Sequence, residues 1–179
     1  LEGIGRCPLG RETALQRFEW SADGWPRIVG ATGDGLPALE APEPDLPEHP
    51  WPATPKRRDF DEPELPPEFQ WLRSPKPERI MSLTERPGWL RLIGRESIGS
   101  WFEQALVARR QEAFAYRAET KLEFAPNNFQ QMAGLVSYYN AHKYHYCFVT
   151  VDESGERYVG VMSCEGDPST DTTFPLNSG

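Results

Sequence analysis

The chain has 179 residues, with 27 Asp and Glu against 19 Lys and Arg, for a net charge of −8. An acidic surface repels phosphate backbones, so no nucleic-acid partner is expected. No apolar run approaches the ~20 residues that span a bilayer, and no basic amphipathic segment is present to lie on one, so no membrane partner is expected either.

Three zones follow one another. Residues 1–35 are Gly-rich and mixed; they begin without Met and read like the interior of a strand-rich domain. Residues 36–78 are dominated by proline, as in LPALEAPEPDLPEHPWPATP. Proline fixes φ and lacks an N–H, so this zone is neither a helix interior nor a central strand. It is expected to be an extended connector of moderate stiffness.

From residue 79 onward the pattern is that of strands. Short strands are expected at 80–84, 89–93 and 101–109. In YRAETKLEF (116–124), Tyr116, Ala118, Thr120, Leu122 and Phe124 share one parity and the charged residues share the other, the period of a half-buried strand. YHYCFVTV (144–151) is aromatic and β-branched throughout, so both its faces are expected to be covered. Asp152-Glu153-Ser154-Gly155 then joins it to ERYVGVMSC (156–164) as a hairpin, and Asn140-Ala141-His142 makes a second turn. Turns at this spacing, with no competing helical period, predict an all-β antiparallel sandwich. The pattern stops after too few strands to close two sheets, so both ends of the chain are expected to be interior to a longer protein.

Cys7, Cys147 and Cys164 are odd in number and widely spaced. Free thiols in a reducing, cytoplasmic compartment are the expectation. No cofactor is expected.

Several stretches carry a resemblance. CPLGRETALQ, DGWPRIVG, RDFDEPELPPEFQWLR, SLTERPGWLRLIGRESI, LVARRQEAFAYRAETKLEF and NNFQQMAGLVSYYN occur in order over nearly the whole chain. Together they resemble the C-terminal part of a glycoside hydrolase family 43 β-xylosidase. The resemblance implies that residues 1–35 close a five-bladed catalytic β-propeller. Residues 36–57 would then be a Pro-rich linker. Residues 58–179 would be a concanavalin-like β-sandwich (a jelly roll), apparently truncated at its C-terminal end and packed on the propeller in the intact protein.

Family 43 enzymes invert the anomeric carbon with one carboxylic acid and one carboxylate, roughly 6.5–9.5 Å apart so that a water fits between them. The resemblance places these groups upstream of Leu1, so no catalytic residue is expected in this chain. It carries over one substrate contact: Arg11, in Gly10-Arg11-Glu12-Thr13, would reach the sugar of the −1 subsite. A guanidinium fork suits a sugar hydroxyl and a carboxylate together. An ion pair with Glu12 is the other reading of Arg11. The implied substrate is a xylo-oligosaccharide cut at its non-reducing end, with α-L-arabinofuranose as a second leaving sugar. A homo-oligomer is implied by the resemblance alone.

Other residues have two readings each. Asp59-Phe60-Asp61-Glu62 offers oxygen ligands for calcium or a solvated acidic turn. His142 and His145 do not share a strand face, so surface histidines are expected rather than a metal pair. Tyr138 and Tyr139 must point to opposite faces, and the outward ring would stack on a sugar or pack on the propeller. Trp89 and Trp101 are expected in the core. Two non-catalytic functions stand beside the enzyme reading: a carbohydrate-binding sandwich, or a purely structural one that covers the propeller. The Gly10–Thr13 motif separates them, since a stand-alone module has no use for the tail of a propeller.

Overall fold

The computed structural model describes residues 9, 13–31 and 35–166. The chain divides into two compact units: the described part of Arg11–Pro55, and the described residues from Lys56 onward.

In the first unit, β1 (Phe18–Trp20) pairs antiparallel with β2 (Pro26–Ile28), Phe18 opposite Ile28. Asp23 organises the turn between them. Its carboxylate accepts from the Ser21 hydroxyl and the Trp25 N–H, and Arg27 pairs with it at 2.9 Å. Residues 36–55 carry no helix or strand and are almost wholly exposed, as their prolines dictate. One tie fastens their start: Gln16 and Ala38 exchange hydrogen bonds, side-chain amide to backbone.

The second unit is nearly all β. β3 (Phe69–Trp71) pairs with β6 (Val107–Arg109), and β4 (Met81–Ser82) pairs with β5 (Arg91–Leu92). A single 3-10 turn, Pro77–Arg79, precedes β4. β7 (Ala133–Asn140), β8 (Lys143–Val151) and β9 (Arg157–Glu165) form a three-stranded antiparallel meander.

Both turns of the meander are set by side chains. Asn140 Oδ1 accepts from the His142 N–H at 2.8 Å. Asp152 Oδ1 accepts from the Ser154 N–H, the Ser154 hydroxyl and the Glu156 N–H at 2.8, 2.6 and 2.9 Å. Gly155 then takes a left-handed φ of 84° that a side chain would disfavour.

The meander has two different faces. Tyr144, Tyr146, Phe148 and Thr150 share one with Val136, Tyr138, Met162 and Cys164. This is the core face: Tyr144, Phe148 and Thr150 are buried, together with Ile80, Met81 and Leu83 from elsewhere in the unit. The Phe148 ring sits on a rung whose outer positions are Gly134 and Gly160. A Cβ on Gly134 would lie 1.9 Å from the Cys147 carbonyl oxygen, and one on Gly160 would lie 2.8 Å from the Phe148 ring.

Three expectations need correction. The strands at 80–84, 89–93 and 101–109 shrink to Met81–Ser82, Arg91–Leu92 and Val107–Arg109, because loop geometry takes the flanking residues. YHYCFVTV is covered along one face but only in part on the other, where His145 and Cys147 are exposed while Val149 is half-buried and Val151 buried. Residues 116–124 form no strand and join no ladder among the described residues. Their charged parity makes the contacts instead. Glu123 forms a two-pronged ion pair with Arg86, while Tyr116 and Leu122 stay exposed.

Candidate functional site

Arg11, together with Cys7 and Glu12, lies outside the described residues. The other residues singled out by sequence can be placed. Asp59 is engaged by Arg57 at 2.6 Å, and Phe60 turns its ring edge onto Phe69 with centroids 5.5 Å apart. His145 Nδ1 meets the Ser163 hydroxyl at 2.8 Å, while His142 lies in the β7–β8 turn. No group of three or more His, Cys, Asp or Glu suited to a metal occurs among the described residues. No helix among them is long and apolar enough to cross a membrane.

The tyrosine pair divides as strand geometry requires. Tyr138 is half-buried and stacks on Tyr144 at 6.4 Å, while Tyr139 is 58% exposed beside a register shift in the β7–β8 ladder.

The two tryptophans differ from expectation. Trp89 is only half-buried. Arg86 lies over its ring at 4.2 Å and Lys121 at 5.2 Å, so cations cover the indole. Trp101 is not in the core at all: it is 58% exposed, and its neighbour Phe102 also faces solvent.

Trp101 is held out by its loop. Ser100 N–H bonds to the Ser97 carbonyl at 3.0 Å. Gln104, 2% exposed, donates from below to the carbonyls of Ile98 at 2.6 Å and Ser100 at 2.5 Å. Arg95 Nε donates to the Arg79 carbonyl, and Arg79 pairs with Glu103 at 3.0 Å. Glu103 itself has a left-handed φ of 54°. A non-glycine residue pays for that conformation, so the surrounding bonds must fix it.

Two further elements converge on the indole. Arg73 follows β3, also with a left-handed φ, of 48°, and the Trp71 indole N–H bonds to the next carbonyl, Ser74. The Arg73 guanidinium lies 5.1 Å from the Trp101 ring centre. The His142 ring meets Trp101 edge-on at 6.2 Å.

Beneath them, the Tyr138 hydroxyl and Gln104 Oε1 are buried without a hydrogen bond of sound geometry. Burial pushes the Tyr138 pKa up, opposed by the Arg73 charge and the Gln104 amide. Sequence reasoning missed Arg73 and Gln104. Only the tertiary fold brings residues 73, 101, 104 and 142 together, and no local spacing signals it.

Chemically, this cluster can bind but offers no acid–base pair for hydrolysis. Glu103 is tied to Arg79, and the histidine faces a ring.

Known proteins place the fold. The family described as "Beta xylosidase C-terminal Concanavalin A-like domain" matches residues 57–177. A β-xylosidase of Bacillus subtilis (strain 168) is 45% identical over 162 residues, which cover 90% of this chain and 30% of that protein. A xylan 1,3-β-xylosidase of a Vibrio species is 46% identical over 154 residues, covering 86% and 28%. The crystal structure of xylan β-1,4-xylosidase from Bacillus halodurans C-125 superposes with a TM-score of 0.77 at 46% identity, over 89% of this chain and 30% of that one. The chain thus spans about 30% of the length of these relatives. With its nearly all-β second unit matched from residue 57 to 177, the chain belongs to the glycoside hydrolase family 43 β-xylosidase C-terminal concanavalin A-like domains.

Proposed function

We propose that this chain is part of an inverting, exo-acting glycoside hydrolase. The intact protein removes xylose from the non-reducing end of β-1,4-xylo-oligosaccharides and takes α-L-arabinofuranosides as second substrates. The observation that carries this reading is the family match over residues 57–177. The names of the three relatives given above, each a xylosidase, support it.

In this reading residues 1–35 close the catalytic propeller, 36–57 link, and 58–179 form the sandwich that packs on it. The acid and base carboxylates lie outside the 179 residues, and inversion follows from their wide separation around a water. Arg11 contributes donors to the −1 sugar, its fixed fork reading hydroxyl positions. The protein works in the cytoplasm on imported oligosaccharides. Cys147 and Cys164, neither in a disulfide, support that placement.

The test is hydrolysis of xylotriose by the intact protein, followed by NMR of the first anomer released. The α-anomer of xylose is expected from the β-linked substrate. Release of the β-anomer, or no release of xylose at all, would overturn the reading. Arg11→Ala is expected to lower kcat/KM by about tenfold or more, since the contact serves the reacting sugar. An unchanged kcat/KM would remove Arg11 from the subsite.

A further inference from the structure

Two surfaces expose clustered apolar side chains, and they differ in kind. On the outer face of the meander, Leu135, Cys147 and Val161 share one rung, and Ala133, Val149 and Val159 share another two residues along the strands. This face is largely aliphatic, the character of a protein contact. The other surface is aromatic, Trp101 with its exposed neighbour Phe102 on a braced loop.

We propose that Arg73, Trp101 and His142 form a saccharide-binding platform. A pyranose ring has C–H groups on its faces and hydroxyls around its edge. It needs a broad, exposed, immobile aromatic face with hydrogen-bonding groups at the perimeter. Trp101 supplies the ring, a side chain 58% exposed. Arg73 lies over the ring, 5.1 Å from its centre, and brings a fork of N–H donors beside it. His142, edge-on at 6.2 Å, brings ring nitrogens that donate or accept.

Immobility comes from below. Gln104 pins the loop through two carbonyls, so little conformational entropy is lost when a ligand lands. The left-handed backbones of Arg73 and Glu103 are costs that the fold absorbs to present these side chains, as strained residues at binding sites often do.

The ligand is uncharged. Glu103, on the same loop, is paired with Arg79, and Arg73 is drawn onto the indole. Nucleic-acid bases also stack on indoles, but a net charge of −8 repels their phosphates. A protein partner would find a broader apolar area on the outer face of the meander.

The test is affinity electrophoresis of the 179-residue chain through native gels containing soluble arabinoxylan or mixed-linkage β-glucan. The chain should be retarded, and Trp101→Ala should weaken that retardation about tenfold, as loss of a central aromatic anchor does. Arg73→Ala should weaken it less. Trp51→Ala, which removes an indole 88% exposed in the Pro-rich segment, should leave it unchanged.

Circular dichroism and a melting curve check that each variant folds. Should Trp101→Ala unfold, the comparison of Arg73→Ala with the parent chain decides. No retardation in either polysaccharide, or equal retardation of parent and folded Trp101→Ala, overturns the platform. So does a Trp101→Ala variant that changes only the size-exclusion elution volume, which would assign the ring to a protein contact. The choice of xylan rests on the proposed function. Retardation by β-glucan alone keeps the platform and counts against a xylan ligand, whereas failure to hydrolyse xylotriose counts against the enzyme reading and leaves the platform standing.

Discussion

Residues 133–165 and residues 116–124 have the same kind of side-chain pattern and different fates. The meander becomes three paired strands; 116–124 forms no strand among the described residues. The difference lies in what stands beside each. In the meander, Asn140 and Asp152 fold each strand back on its predecessor, so every edge of β8 finds a partner within a short loop. Residues 116–124 have no such turn, and their charged side chains take local partners: Arg117 pairs with Glu119, and Glu123 with Arg86. Alternation decides which residues share a side. A neighbouring edge decides whether a ladder forms.

The sharpest way to break the meander is Gly134→Val. Its first added atom would fall on the Cys147 carbonyl, backbone that has nowhere to move, so no cooperative melting transition is expected for this variant. A parent-like transition would show that β7 pairs in another register. Phe148→Ala comes next. It leaves a hole between two glycines that cannot fill it, with an expected loss of about 3 kcal/mol by urea denaturation.

Asp152→Ala should cost less, lowering the melting temperature by several degrees through loss of three accepted hydrogen bonds. Its pH dependence has a definite sign. The Ser154 hydroxyl, foremost, and the neighbouring backbone N–H groups hold the Asp152 pKa below 3.8. The folded state therefore favours the carboxylate. The stabilisation is present above pH 3.8 and fades as pH falls through the lower folded value. The melting temperatures of parent and Asp152→Ala should converge on acidification; a gap that widens would reverse the assignment. Leu122→Ser, in the unpaired segment, should change stability by no more than about 0.5 kcal/mol, because its side chain is already exposed. A larger loss would mean that 116–124 is packed after all.

The legible parts of this molecule are those specified within a short stretch of chain. The hairpin from Lys143 to Glu165 could be placed to within a residue, because β-branched runs flank an Asp-to-Gly turn. The opposite facing of Tyr138 and Tyr139 followed from the pleat alone. The short strands β4 to β6 were found only approximately, since two- or three-residue pairings leave no periodicity to read. Trp101 was misplaced because hydrophobic character argues for burial. What keeps it outside is a loop braced by Gln104 and closed by Arg79 and Glu103, an arrangement no spacing encodes. Arg11 came from resemblance to a family.

The rung Gly134–Phe148–Gly160 bears on motion as well as packing. Across three strands, one phenyl ring is the only side chain on that level of the core face. Such a ring rotates only when the backbones on either side separate for an instant. Its flip rate, read from the symmetry of its aromatic NMR signals, would thus report the breathing of the whole meander from a single residue.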